Sequence, residues 1–308
     1  ITAKTLTISG IIANNKIYDG NTTATVDVTN VIKTGLVAGD AVTVSATGTF
    51  ADKNAATSKT VTLSSAYAGT DRNNYSITDQ ATTTANITPK TLTATVTASN
   101  KTYDGSANAV VTIGTLSGFI GSETVTAAVN TATFADKNAG DAKTVTVSYN
   151  LSDGSNGGLA SNYSLANTTT TANITKAPLS ITAATASNKV YDSTTTATIS
   201  AIGTLSGFIG SETVTAAVNI ATFADKNAGD AKTVTVSYNL SDGSNGGLAS
   251  NYSLANTTTT ANVTKKPITV IGLTADSKVY DGLLSTTISR AGELTGGATT
   301  STDKNIIQ

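Results

Sequence analysis

The sequence predicts an all-β chain of tandem small antiparallel β-sandwich units, immunoglobulin-like in build and joined in an elongated array, with β-grasp-like units as the alternative. Three observations carry this reading: apolar residues alternate with threonine at period 2, the chain repeats itself about every 88 residues, and helix formers are scarce.

The alternation is plain in Leu92, Ala94 and Val96 set against Thr91, Thr93, Thr95 and Thr97. It returns in Val125, Ala127 and Val129 and in Val145, Val147 and Tyr149, separated by the turn-rich Ser152-Asp153-Gly154-Ser155-Asn156-Gly157-Gly158. A small sandwich needs about seven such strands per unit. Methionine is absent and glutamate occurs only at Glu123, Glu212 and Glu293, so no segment has the composition of a helix. Of the 308 residues 39% are hydrophobic, but tryptophan is missing and there are only 5 Phe and 10 Tyr. The cores are therefore small and aliphatic, each larger buried side chain contributing about 1.5–3 kcal/mol.

Repeats set the organisation. Tyr18, Tyr103, Tyr191 and Tyr280 recur at spacings of 85, 88 and 89 in Tyr18-Asp19-Gly20, Tyr103-Asp104-Gly105, Tyr191-Asp192-Ser193 and Tyr280-Asp281-Gly282. A second marker, Phe-Ala-Asp-Lys-Asn, brings Phe50, Asp52 and Asn54, then Phe134, Asp136 and Asn138, then Phe223, Asp225 and Asn227. A third, Asn-Tyr-Ser, contains Tyr75, Tyr163 and Tyr252. Gly114–Lys176 and Gly203–Lys265 differ at two of 63 positions, Thr131 against Ile220 and Ile174 against Val263. The expected units are 1–88, 89–176, 177–265 and a partial, divergent 266–308, and the chain's three prolines, Pro89, Pro178 and Pro267, mark the short joints between them.

Composition excludes several function classes. Net charge is −1, with 19 basic and 20 acidic residues scattered singly, so nothing is present to follow a nucleic-acid backbone. No apolar run is long enough for membrane insertion. Histidine and cysteine are both absent and no serine or acid sits in a catalytic motif, so the chain is not expected to be an enzyme. No cofactor is implied; any metal would need hard oxygen ligands from Asp, Asn or carbonyls, and Ca²⁺ is the candidate named for them. The chain opens inside a β pattern at Ile1-Thr2-Ala3-Lys4 without the features of a signal peptide, and reads as an internal stretch of a longer protein.

Tyr-Asp-Gly reads as a tight turn between strands, with glycine supplying a positive φ and the tyrosine ring closing a core edge. Ser193 replaces that glycine in the third unit, where a type I turn is expected instead. Asp52, Asp136 and Asp225 are expected to accept backbone N–H bonds in a turn. Calcium ligation is the alternative there, but it needs about six to eight oxygens and one carboxylate recurs per loop. A covalent crosslink between an opening lysine (Lys4, Lys90) and a closing asparagine (Asn86, Asn173, Asn262) is a further reading. It requires a buried acid, for which Glu123 and Glu212 are the recurrent candidates and Asp40 the nearest equivalent in the first unit.

Taken together, Lys-x-Tyr-Asp-Gly-x-Thr-Thr, Phe-Ala-Asp-Lys-Asn-Ala-Gly, Asn-Tyr-Ser-Leu and Thr-Thr-Thr-Ala-Asn-Ile-Thr resemble the YDG-type repeat, related to MBG modules, of filamentous-haemagglutinin-like bacterial adhesins. The resemblance runs from residue 1 to about 265. It implies secretion to the bacterial cell surface and a structural stalk that projects an adhesive region, with neighbouring repeats as the partners and host or biofilm glycan or matrix engaged through other regions. Weak multivalent glycan or matrix binding by the repeats, or filament formation, is the alternative. No catalytic, cofactor or metal residue is implied. The fourth unit departs from the pattern: Asp303-Lys304-Asn305 follows Tyr280 by 23 residues, where Asp225 follows Tyr191 by 34. It is expected to be incomplete and weakly ordered, with a sheet edge to be covered by further chain or by another molecule.

Overall fold

A computed structural model describes residues 1–296; the Asp303-Lys304-Asn305 segment lies outside the described residues. The described chain is all-β, its only helical turns being the 3₁₀ turns Arg72–Asn74, Ala160–Asn162 and Ala249–Asn251. It divides into two compact units. The first comprises Ile1–Asn100, Ala107–Asp136 and Ala142–Asn173; the second comprises Lys101–Ser106, Lys137–Asp141 and the chain from Ile174 onward.

In the first repeat, Lys4–Ser9 is the middle strand of a three-stranded sheet, antiparallel to Ile32–Thr34 and parallel to Tyr75–Thr78. A second sheet runs in the order Lys16–Ile17, Thr82–Thr88, Ala56–Ala68, Thr43–Phe50, Thr23–Ala24. Thr82–Thr88 is antiparallel to Ala56–Ala68 but parallel to Lys16–Ile17. The expected purely antiparallel build is thus corrected: both sheets are mixed. Parallel neighbours need a long crossover, and here most of the repeat separates each pair and supplies it. Ten strand segments replace the expected seven or so, because several pairings last only two or three residues.

Alternation buries one face of each sheet. Leu6 and Ile8 from the first sheet and Phe50, Val61, Leu63, Ala85 and Ile87 from the second belong to one buried cluster, which continues into Leu92, Val125 and Tyr163 of the next repeat within the same unit. In the long hairpin Val125–Phe134/Gly140–Asp153, Val145 and Val147 are fully buried, whereas Val129 is exposed where a bulge shifts the register.

The third repeat has the same plan. Ala177–Ile181 pairs antiparallel with Leu205–Ser206 and parallel with Tyr252–Leu254, and a four-stranded sheet runs Lys189–Val190, Thr257–Thr264, Gly229–Asp242, Val214–Phe223. Beyond it lie two short antiparallel pairs, Thr269–Ile271 with Glu293–Thr295 and Thr274–Ala275 with Ile288–Arg290. Their apolar residues stay exposed, Tyr280 at 94% where Tyr18 is at 1%.

Candidate inter-repeat interface

The Tyr-Asp-Gly and Phe-Ala-Asp-Lys-Asn motifs together build one end of a repeat. In the first repeat, the Lys16 ammonium reaches Asp19 Oδ1 (2.7 Å) and the carbonyls of Asn21 (2.8 Å) and Thr23 (3.1 Å), and lies over the Phe50 ring. It staples the Tyr-Asp-Gly turn, whose Gly20 has φ +79°. Lys101 with Asp104, Lys189 with Asp192 and Lys278 with Asp281 repeat the ion pair, and Gly105 and Gly282 repeat the positive φ. Ser193 corrects the type I expectation: it keeps φ +65°. Lys189 and Thr194 hold the Asp192 carboxylate, and with it the loop path, so serine occupies the left-handed region, its Oγ donating to the Asp192 carbonyl. Those bonds also keep the Asp192 carboxyl well below the usual carboxylate range.

The second loop lies beside the first, since Phe50 N–H donates to the Thr22 carbonyl. Asp52 accepts from Asn54 N–H (2.7 Å) and from Lys59 (2.6 Å), Asp225 from Asn227 N–H and Lys232, and Asp136 from Lys143. Phe50, Phe134 and Phe223 are buried beneath these turns.

From this end, Tyr18, Lys53 and Asn54 reach the following repeat within the first compact unit. The Tyr18 hydroxyl donates to Glu123, 2.8 Å from Oε1 and 2.9 Å from Oε2. Lys53 Nζ lies 2.7 Å from Oε1, and Tyr163 Oη donates to Oε2 at 2.8 Å. Glu123 is buried at 8% exposure, so three donors satisfy a carboxylate that would otherwise be costly to desolvate. Beside it, fully buried Asn162 accepts from Ala55 N–H (2.8 Å) and donates to Asn54 Oδ1 (3.0 Å). The rings of Tyr18 and Tyr163 meet edge to face at 5.5 Å, and Phe119 packs on Tyr163 at 5.7 Å.

The second compact unit holds the same arrangement. Tyr103 donates to Glu212 Oε1 (2.7 Å), Lys137 pairs with it (2.9 Å), Tyr252 donates to Oε2 (2.7 Å), and Asn251 bonds Ala139 N–H and Asn138.

Burial raises the Glu123 and Glu212 carboxyls, but the hydrogen bonds from lysine and tyrosine outweigh it and hold both below the ordinary glutamate value. Tyr18, Tyr103, Tyr163 and Tyr252 are all pushed up, first by burial; bonding to the glutamate adds to the rise in each. The site is therefore an anion clasped by neutral hydroxyls and one ammonium, and its chemistry is adhesion between repeats.

Sequence reasoning singles out Tyr18, Tyr103, Tyr163, Tyr252, Asn54 and Asn138 without showing that they meet. Tyr191 is half-buried, and Tyr75 is buried in the first repeat. The hub residues Glu123 and Glu212 enter that reasoning as scarce glutamates, within the Gly-Ser-Glu motif before Val-Thr, and as acids for a crosslink, without a role in joining repeats, and the buried Asn162 and Asn251 have no role in it. A signal for the hub is present: two of the chain's three glutamates recur 89 residues apart, just after Phe119-Ile120 and Phe208-Ile209. The closing asparagines are engaged elsewhere. Asn86, Asn173 and Asn262 each accept a backbone N–H at 2.7 Å from Ser58, Ala142 and Ala231, residues held at φ +51°, +48° and +48°.

A family model described as the YDG domain matches residues 2–85, 88–172 and 175–261. No curated protein matches the chain. Among solved structures, the I9–I11 tandem of titin is similar over 86% of this chain and 98% of that one, at 11% identity and a TM-score of 0.22.

Proposed function

The chain belongs to the YDG domain family, and from that premise we propose that its repeats are structural spacers of a secreted bacterial surface adhesin, stacked head to tail to hold an adhesive region away from the cell. One observation carries the reading: four of the tyrosines that mark the repeat are spent on joints between neighbouring repeats. Tyr18, Tyr103, Tyr163 and Tyr252 are buried in the Glu123 and Glu212 clusters, so they offer no stacking surface to a glycan. A duplicated unit that carries its own joint adds length with each copy.

We read the first repeat as a small sandwich, because its two sheets share one core, and extend that reading to the repeats that follow its strand plan. The strand order suits tension. Lys4–Ser9 lies parallel to Tyr75–Thr78, and Thr82–Thr88 parallel to Lys16–Ile17, so a pull on the two ends of the repeat drives parallel strands past one another. Their hydrogen bonds then share the load rather than breaking in turn.

Small-angle scattering tests the spacer. An elongated particle is expected; a radius of gyration near the roughly 19 Å of a single compact 308-residue body would refute it.

A further inference from the structure

The carboxylate half of the joint exists in three copies. Val37, Ile120 and Ile209 each donate their N–H to the hydroxyl of Tyr75, Tyr163 and Tyr252, at 2.9, 3.1 and 3.1 Å. Each tyrosine donates in turn to the carboxylate three residues after that N–H, Asp40 (2.6 Å), Glu123 (2.8 Å) and Glu212 (2.7 Å). The same backbone turn holds the acids, from Asp40, Glu123 and Glu212 N–H to the carbonyls of Val37, Ile120 and Ile209. Two copies are filled by the tip of the repeat before them. The first has no such occupant among the described residues, and its surface differs accordingly: Asn74, counterpart of the fully buried Asn162 and Asn251, is exposed, and so is Val37 at 45%.

We propose that Leu36, Val37, Asp40, Asn74 and Tyr75 form a preformed socket for the tip of a further YDG repeat preceding this one, which inserts one tyrosine, one lysine and one asparagine. Continuity with the two filled joints identifies the occupant, and charge agrees, since the socket offers a carboxylate and the tip an ammonium. The socket is independent of whether the array serves as a stalk.

The test places a second copy of residues 88–173 directly before Ile1 of the full chain and applies a zero-length carbodiimide, which joins a lysine amine to a touching carboxylate as an amide. Lys53–Glu123 and Lys137–Glu212 are internal controls. The expected product is a further crosslink from Lys137 of the added copy to Asp40, with a yield comparable to the controls and abolished by Asp40→Asn. Controls without an Asp40 product overturn the proposal. Should the controls also fail, the chain extended by a second copy of residues 1–86 replaces it: a Lys53–Asp40 crosslink is then the expected product, and its absence overturns the proposal. A crosslinked dimer through Asp40 of the unextended chain would give the socket to a second molecule and also overturn it.

Discussion

The hydroxyl of Tyr18 lies 2.8 Å from a carboxylate oxygen of Glu123, 105 residues further along the chain, and both groups are buried. One repeat is thereby bonded to the next through a charge-assisted hydrogen bond that water does not screen.

Tyr18→Phe keeps the ring and its packing on Tyr163 but removes this donor, so it is expected to lower unfolding stability by about 1.5–3 kcal/mol, the range for hydrogen bonds to charged groups. Arg290→Ala, which breaks the exposed pair with Glu293, is expected to cost under about 1 kcal/mol. Urea denaturation of the two variants gives the comparison, and a cycle with Glu123→Ala should show that Tyr18 and Glu123 are coupled.

Stability should fall away on both sides of neutrality. Glu123 and Glu212 have lowered folded values, so their contribution is complete above the unfolded glutamate value near 4.5 and is lost as pH falls through the folded one. The four joint tyrosines have raised values, so theirs is complete below the unfolded value of 10.0 and is lost as pH rises through the folded one. Melting temperatures across acid, neutral and alkaline buffers should trace a plateau, and Glu123→Gln should flatten its acid limb.

The turn glycines should differ in cost. A Cβ on Gly20 would meet Ile120 Cγ2 of the next repeat at 2.9 Å, whereas one on Gly282 has nothing within 4 Å, though both have positive φ. Gly282→Ala is expected to carry only the left-handed strain of about 1–2 kcal/mol locally, and Gly20→Ala that strain plus a clash at the joint. Ser193→Gly should raise thermal stability by relieving the same strain. A Gly20→Ala variant no less stable than wild type would contradict the close contact.

Pulled between residues 1 and 265, the chain should resist more force than when pulled between Thr43 and Ala68, which are direct partners at the open end of a hairpin and would unzip. The sequence has no native cysteine, so introduced cysteines serve as unique attachment points for optical tweezers.

Hydrogen exchange should be faster in Thr269–Ile271 than in residues 145–149. The first strand is exposed at every position, whereas Val145 and Val147 are fully buried.

The sequence alone determined the β class, the repeat period and the turn chemistry, because these are local. Period-2 alternation places Val145 and Val147 on one face whatever lies opposite, and a lysine three residues before an aspartate can staple a turn unaided. Even Ser193 shows the limit: its replacement of glycine suggested another turn, while the Lys189–Asp192 pair held the same one. Only the tertiary structure decided that Lys4–Ser9 runs parallel to Tyr75–Thr78, since alternation fixes a strand's face but carries no record of its partner's direction. It also decided the joint. Tyr18, Lys53 and Glu123 are separated by tens of residues, and a buried carboxylate is stable only where several donors converge in space, a condition that no single segment of the chain can express.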